Sequence, residues 1–333
     1  MSQLSRRTLL AGASVVGVTA LAACGSSEDD TAGAAATGTA SASSGTTIDT
    51  LFGEVEVPAD PQNVVALGWG DMETVLALGG QVVGTSDWLG FGGDGVGPWA
   101  ADLVTQTPEQ LGTLELSYEA VAALTPDLIL NTRQSNDQAQ QDELTRIAPT
   151  VGPPAGLEIL YGTSWEDQVM LVAAALGKED EGAKLISDLE AKFTEVAAAN
   201  PGFAGKTVTV GTYYSGGWGA YVTGDGRVDF MTALGFTQNP NIQALASETG
   251  FSVSLSSEQL DQLEADLVVM FPIGLSAEEI TADPVMQNLQ ATKDGRLVVL
   301  DDTTLSNAFS SATTLGLGYA LDNAVPLFAQ AIA

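Results

Sequence analysis

SYEAVAALTPDLIL, residues 117–130, recurs 139 positions later as SSEQLDQLEADLVV, residues 256–269. In both lines a serine stands just before a helical pattern and a glutamate, Glu119 or Glu258, falls in the first turn. A hydroxyl cap and a first-turn carboxylate match the free N–H groups and the dipole of a helix start. Each line therefore predicts a short helix. Past Leu124 and Leu263 the chain turns and enters Leu128-Ile129-Leu130 or Leu267-Val268-Val269-Met270. Short apolar runs bounded by turn signals fit strands buried on both faces of a parallel sheet. Each line is a helix feeding a central strand.

The same rhythm extends outward from both copies. Val64-Val65-Ala66-Leu67 reads as a strand, Asp71 to Leu78 as a helix ended by Gly79-Gly80, and Val82-Val83-Gly84 as the next strand. In the second half Thr207-Val208-Thr209-Val210 and Leu297-Val298-Val299-Leu300 read as strands, and Val228 to Leu234 as a helix ended by Gly235. Alternating strands and helices imply right-handed crossovers and parallel pairing. Between the two sets, residues 164–177 and 178–200 are helical, the second stretch carrying Leu185, Leu189, Phe193 and Val196 on one stripe. The expected fold is α/β: two similar Rossmann-like lobes with parallel sheets, joined by one long helix that limits hinge closure.

The amino terminus reads as an address. Arg6 and Arg7 precede an uncharged run to Ala23, too short to span a membrane, and Leu21-Ala22-Ala23-Cys24 places the sole cysteine where a bacterial lipobox puts its acylated residue. Ser5 to Leu10 also resembles a twin-arginine signal. Residues 25–47 are nearly all Gly, Ser, Ala and Thr and cannot bury enough area to order themselves. The expected divisions are a signal peptide over 1–23, a lipidated flexible tether over 24–47, an N-terminal α/β lobe over 48–163, a helical connector over 164–201 and a C-terminal α/β lobe over 202–333.

Without Arg6 and Arg7 the chain keeps nine Lys and Arg against 42 Asp and Glu, a formal charge of −33. Such a field disfavours nucleic acid and anionic lipid surfaces. There is no histidine, so the usual metal ligand and the usual general base are both missing. No G-x-S-x-G elbow and no phosphate-binding G-x-x-x-x-G-K-[ST] loop occurs, so an ATPase would have to be a separate chain.

Several blocks in order and spacing resemble one family: Val64 to Leu67 with the helix to Gly79, Pro98-Trp99-Ala100-Ala101-Asp102, Glu119 to Leu130, the LTRIAPTV of residues 144–151, and Lys293 to Leu297 before a strand. Over roughly residues 55–330 the chain is similar to the substrate-binding lipoproteins of ABC importers for iron–siderophore complexes and vitamin B12. The resemblance implies a monomeric carrier on the outer face of the cytoplasmic membrane, held there by lipid on Cys24. It implies no enzyme activity, no cofactor and no direct metal ligand, the iron being held by its chelator. It also implies that Glu119 and Glu258, one per lobe, dock the two permease subunits. Their alternative role is to complement a helix dipole, worth about 0.3–1 kcal/mol.

Open parallel sheets bind ligands beyond the carboxyl ends of their strands. Those ends carry Trp69, Trp88, Arg133, Tyr213 and Tyr214, and Trp218 and Tyr221 follow in a Gly-rich stretch. Phe309, in the loop after the late strand, is a candidate implied by the family. Aromatic rings would grip a bulky ligand of mixed polarity, and Arg133 could pair with chelate oxygens in a fork geometry. Each ring could instead serve packing, and Arg133 a salt bridge; Arg227 could add a second cation or open the next helix. A scarcity of basic residues leans toward ferric hydroxamates, near neutral or cationic, over a tris-catecholate with about three negative charges. Cobalamin and haem remain open within the same fold. From other classes, a cell-surface carbohydrate-active enzyme using paired carboxylates and a two-lobed adhesin or signalling module also stand.

Overall fold

The structure, a computed structural model, describes residues 45–333; the expected leader and Cys24 lie outside the described residues. It opens on an antiparallel hairpin, β1 (Thr46–Thr50) and β2 (Gly53–Val57). Strand pairing thus starts at Thr46, inside the segment read as tether.

The first large sheet holds β3 (Val64–Ala66), β4 (Gly84–Thr85), β5 (Glu109–Gln110), β6 (Leu128–Leu130) and β7 (Thr150–Val151), in the order β5-β4-β3-β6-β7 and parallel throughout. Its helices are α1 (Asp71–Ala77), α2 (Tyr118–Ala123) and α3 (Gln138–Thr145). Side chains alternate across it: Val64, Ala66, Leu128 and Leu130 enter one core, Val65 and Ile129 the other. That two-sided burial is why these strands read as unbroken apolar triplets.

Then come α4 (Trp165–Leu176) and α5 (Glu179–Ala199). Gly177 ends α4 in the left-handed region at φ 64°, which lets the chain reverse into α5. At 21 residues α5 runs about 30 Å. Leu189 and Phe193 on its stripe enter the core of the second half, while Leu185 touches the cores of both.

The second sheet holds β8 (Thr207–Tyr214), β9 (Gly217–Tyr221), β10 (Thr237–Gln238), β11 (Ser252–Leu255), β12 (Leu267–Ile273) and β13 (Leu297–Val299). The order is β11-β9-β8-β12-β13, with β10 also on β8. Helices α6 (Gly226–Ala233), α7 (Pro240–Gln243), α8 (Ala277–Thr281), α9 (Pro284–Asn288) and α10 (Gln290–Lys293) intervene; α11 (Thr303–Ser311), α12 (Thr314–Asn323) and α13 (Val325–Ile332) close the chain. Leu267, Val269 and Phe271 face one core, Val268 and Met270 the other.

This sheet corrects one expectation: it is mixed. β8 and β12 run on past Val210 and Met270, and Ser215-Gly216 forms a two-residue turn that sends β9 back antiparallel to β8. β11 then pairs antiparallel with β9. The Gly-rich stretch is a hairpin, with Gly217 at φ 122° where a side chain would be strained.

The repeated line also shows what its aspartate does. Asp127 accepts hydrogen bonds from the backbone of Gln62 (2.8 Å) and Asn63 (2.9 Å), just before β3. Asp266 accepts from the backbone and hydroxyl of Thr207, at 2.8 and 2.9 Å, where β8 starts. In both halves the carboxylate at the head of one central strand pins the head of its neighbour. The serines differ in detail: Ser117 caps α2 through Ala120 N–H at 3.3 Å, whereas Ser256 and Gln259 form a reciprocal capping box on a 3₁₀ turn, residues 257–263, rather than the expected α-helix. Glu119 and Glu258 are both exposed in these first turns.

Candidate functional site

The carboxyl ends of the two sheets meet at a cavity of about 500 Å³. Trp69 and Trp88 form its wall from the first half; Phe271, Pro272 and Ile273 at the end of β12, and Ser306 and Ser310 of α11, form it from the second. A smaller pocket on one side is lined by Arg133, Tyr161, Asp225 and Phe251.

Position starts with Asp71, wholly buried at the start of α1. Its carboxylate accepts from Gly68 N–H and Thr132 N–H, both at 3.0 Å, from the Thr132 hydroxyl, and from Gln168 Nε2 at 2.8 Å. The loops after β3 and β6 are thereby tied together, and Trp69 is set by a bond from its own N–H to Arg133 O at 3.0 Å. Burial raises the Asp71 pKa, against the lowering effect of those bonds and of Arg133. Trp88 donates its Nε1–H to Leu67 O at 2.8 Å and lies parallel to Trp69 with centroids 6.2 Å apart. Tyr161 meets Trp88 edge-on at 5.6 Å, and Phe251 meets Tyr161 in the same way at 5.7 Å. Such offset and edge-to-face contacts fix ring planes before any ligand arrives.

Two guanidiniums stand here with different surroundings. Arg133 is buried, and each of its nitrogens donates to a backbone carbonyl: Nε to Thr163 at 2.9 Å, Nη1 to Ser311 and Nη2 to Ala312, both at 3.2 Å. Burial pulls its pKa down to about 10. Ala312 holds a left-handed φ of 48°, a conformation costing a non-glycine residue about 1–2 kcal/mol. The Thr313 hydroxyl donates to Glu73, so α1 and the first-sheet loops grip the α11–α12 junction from both sides.

Arg227 is the second. It lies over the Tyr221 ring at 3.9 Å, 5.4 Å from Trp69 and 5.8 Å from Phe271. Its Nη1 pairs with Asp225 at 2.8 Å and its Nε reaches Ser310 Oγ at 3.2 Å. Burial opposes its charge, but Asp225 and Tyr221 outweigh that and raise its pKa. Trp69 Nε1, beside it, is a buried donor with no partner among the described residues.

Of the residues singled out by sequence, the cavities thus bring together Trp69, Trp88 and Arg133, and Tyr221 stands behind Arg227. Tyr213, Tyr214, Trp218 and Phe309 do not line them. Because β8 continues into a hairpin, Tyr213 and Trp218 become cross-strand partners with rings 4.3 Å apart, and Trp218 sinks into the core on the opposite sheet face. Phe309 is in α11 rather than a loop, fully buried against Phe230 and Phe328. Sequence reasoning missed Tyr161, Phe251 and Phe271; only Phe271, at a strand end, carried a readable signal. Among the described residues, no group of three or more His, Cys, Asp or Glu could hold a metal ion.

Residues 64–304 match the family described as periplasmic binding protein. A probable siderophore-binding lipoprotein of Bacillus subtilis strain 168, YfiY, is 28% identical over 310 residues, 88% of this chain and 90% of its own. The crystal structure of a periplasmic solute binding protein from Mycobacterium smegmatis is similar at a TM-score of 0.74 and 27% identity, covering 87% of this chain and 99% of its own. PiaA of Streptococcus pneumoniae TIGR4, solved in complex with ferrichrome, is similar at 0.73 and 25% identity, over 86% of this chain and 98% of its own.

Proposed function

The chain belongs to the periplasmic binding protein family, and from that premise we propose that it captures a ferric siderophore between its two halves and delivers it to an ABC permease. The single observation that carries this is the aromatic cavity of about 500 Å³ at the facing strand ends. A pocket of that size, with rigid rings and one guanidinium in its wall, suits a bulky chelate of mixed polarity. The siderophore-binding relative in Bacillus and the ferrichrome-bound PiaA support the same reading.

In this reading Trp69 and Trp88 stack on the chelate, and Arg227 with Trp69 Nε1 donates to its oxygens. Arg133 acts one step back, holding the junction that shapes the wall. Glu119 and Glu258 dock the permease subunits, a separate ATPase drives transport, and lipid on Cys24 anchors a monomeric carrier outside the cytoplasmic membrane. A scarcity of cations in the cleft favours hydroxamates over catecholates.

Titration of tryptophan fluorescence with ferric hydroxamates, ferric catecholates, cobalamin and haem tests this, because the Trp69–Trp88 stack lines the cavity. The expected result is saturable quenching by a hydroxamate with a Kd of roughly 1 μM or below. Absence of a response to all four classes would sink the proposal.

A further inference from the structure

The charges facing the cleft do not balance. Among the described residues, Arg133 and Arg227 are the only basic ones lining it. Arg133 is spent on three carbonyls, and Arg227 is ion-paired with Asp225 at 2.8 Å. Three carboxylates on the cleft have no cation among the described residues; one, Glu73, is taken up by bonds from Gly97, Trp99 and Thr313, and two are not so satisfied. Asp301, exposed just beyond β13, lines the main cavity and makes no side-chain hydrogen bond or ion pair among the described residues. Asp87, just beyond β4, lines a side pocket that shares Trp69, Trp88 and Leu89 with the main cavity. Its Oδ2 accepts from Gly92 N–H at 2.7 Å, but its Oδ1 is buried without a partner among the described residues.

An acceptor oxygen buried without a donor costs free energy until a donor supplies the missing bond. An ammonium group offers three donors and the compensating charge. Aromatic faces on the same wall add to the attraction for a cation. Resting on the chelate-carrier reading above, we infer that this cleft selects iron chelates bearing a positively charged amine arm, with Asp87 and Asp301 as the residues that set the preference. The chain's formal charge of −31 reinforces the choice from a distance at low ionic strength.

The test compares two ferric trihydroxamates that differ only in a terminal primary amine, free in one and N-acetylated in the other, by fluorescence titration of the full chain. The free amine is expected to bind about tenfold more tightly in 20 mM salt, the preference shrinking to about threefold or less in 500 mM. Asp87→Asn and Asp301→Asn should each remove about threefold of the preference, read as the ratio of the two chelates' Kd values within each variant. Equal affinities, tighter binding of the acetylated form, or variants that keep the full preference overturn the inference and leave the carrier reading intact. Failure of both chelates to bind removes the carrier reading and this inference with it.

Discussion

Replacing Arg133 by methionine separates stability from binding. The side chain makes three hydrogen bonds from a charged donor, at 2.9, 3.2 and 3.2 Å, to carbonyls of Thr163, Ser311 and Ala312. At about 2 kcal/mol for each charged bond, their loss costs roughly 6 kcal/mol. Part of this returns, because the buried guanidinium is itself disfavoured. Its pKa is pulled down to about 10. From the ordinary arginine value, that corresponds to roughly 3 kcal/mol of penalised charge no longer carried by the variant. The net loss is about 3 kcal/mol, or a fall in Tm of roughly 6 °C at about 2 °C per kcal/mol for a chain of this size. Urea and thermal unfolding, followed by circular dichroism, measure it. Chelate affinity at 20 °C should fall by less than about threefold in Arg133→Met but by at least tenfold in Arg227→Met, whose guanidinium faces the cavity. An Arg133→Met protein with unchanged Tm and abolished binding would refute the assignment and make Arg133 the ligand's own partner.

The clamp read from the repeat predicts matched costs: Asp127→Ala and Asp266→Ala should each destabilise by about 1–2 kcal/mol in urea unfolding, and a loss in only one half would break the equivalence. Asp229 is pushed up to about 6 by burial, with Asp225 and Glu166 adding to the effect. The folded chain therefore holds a proton there that the unfolded chain releases near pH 4, and the stability it contributes declines as pH rises through about 4 to 6. Asp229→Asn should raise stability by about 1–2 kcal/mol at pH 7.5 and leave it nearly unchanged at pH 4; an unaltered difference between the two pH values would count against this cause. The double variant Glu119→Arg, Glu258→Arg should abolish uptake of labelled chelate by cells with chelate affinity within about twofold of the parent, since both side chains are exposed and neither lines the cavities. Weakened chelate binding in that variant would argue against docking.

How much was legible beforehand follows from how far apart the deciding residues lie. Leu128 to Leu130 and Leu267 to Val269 declare buried parallel strands within three residues, because burial on both faces leaves room only for apolar side chains. The long helix is equally local, written in its stripe of Leu185, Leu189, Phe193 and Val196. Trp69 and Trp88 could be found because strand ends can be counted along the chain and ligands gather there. Where a strand's end was misjudged, the site reading failed with it: β8 ends at Tyr214 rather than Val210, so Tyr213 and Trp218 left the cleft for a cross-strand contact.

Sequence by itself determined the class of fold, its doubling, the helix between the halves and the two glutamates at matching helix starts, since each follows from short contiguous runs, the longest the 21 residues of α5. Tertiary structure alone decided which guanidinium faces the cavity and which is consumed by the frame. Arg133 meets its carbonyl acceptors at Thr163, 30 positions away, and at Ser311, 178 positions away. Asp225, the partner of Arg227, stands only two positions away, yet the rings of Trp69, Tyr221 and Phe271 that surround it come from both halves. A side chain's role is set by the groups around it in space, and for these two arginines the folded chain gathers those groups from segments that no local pattern connects.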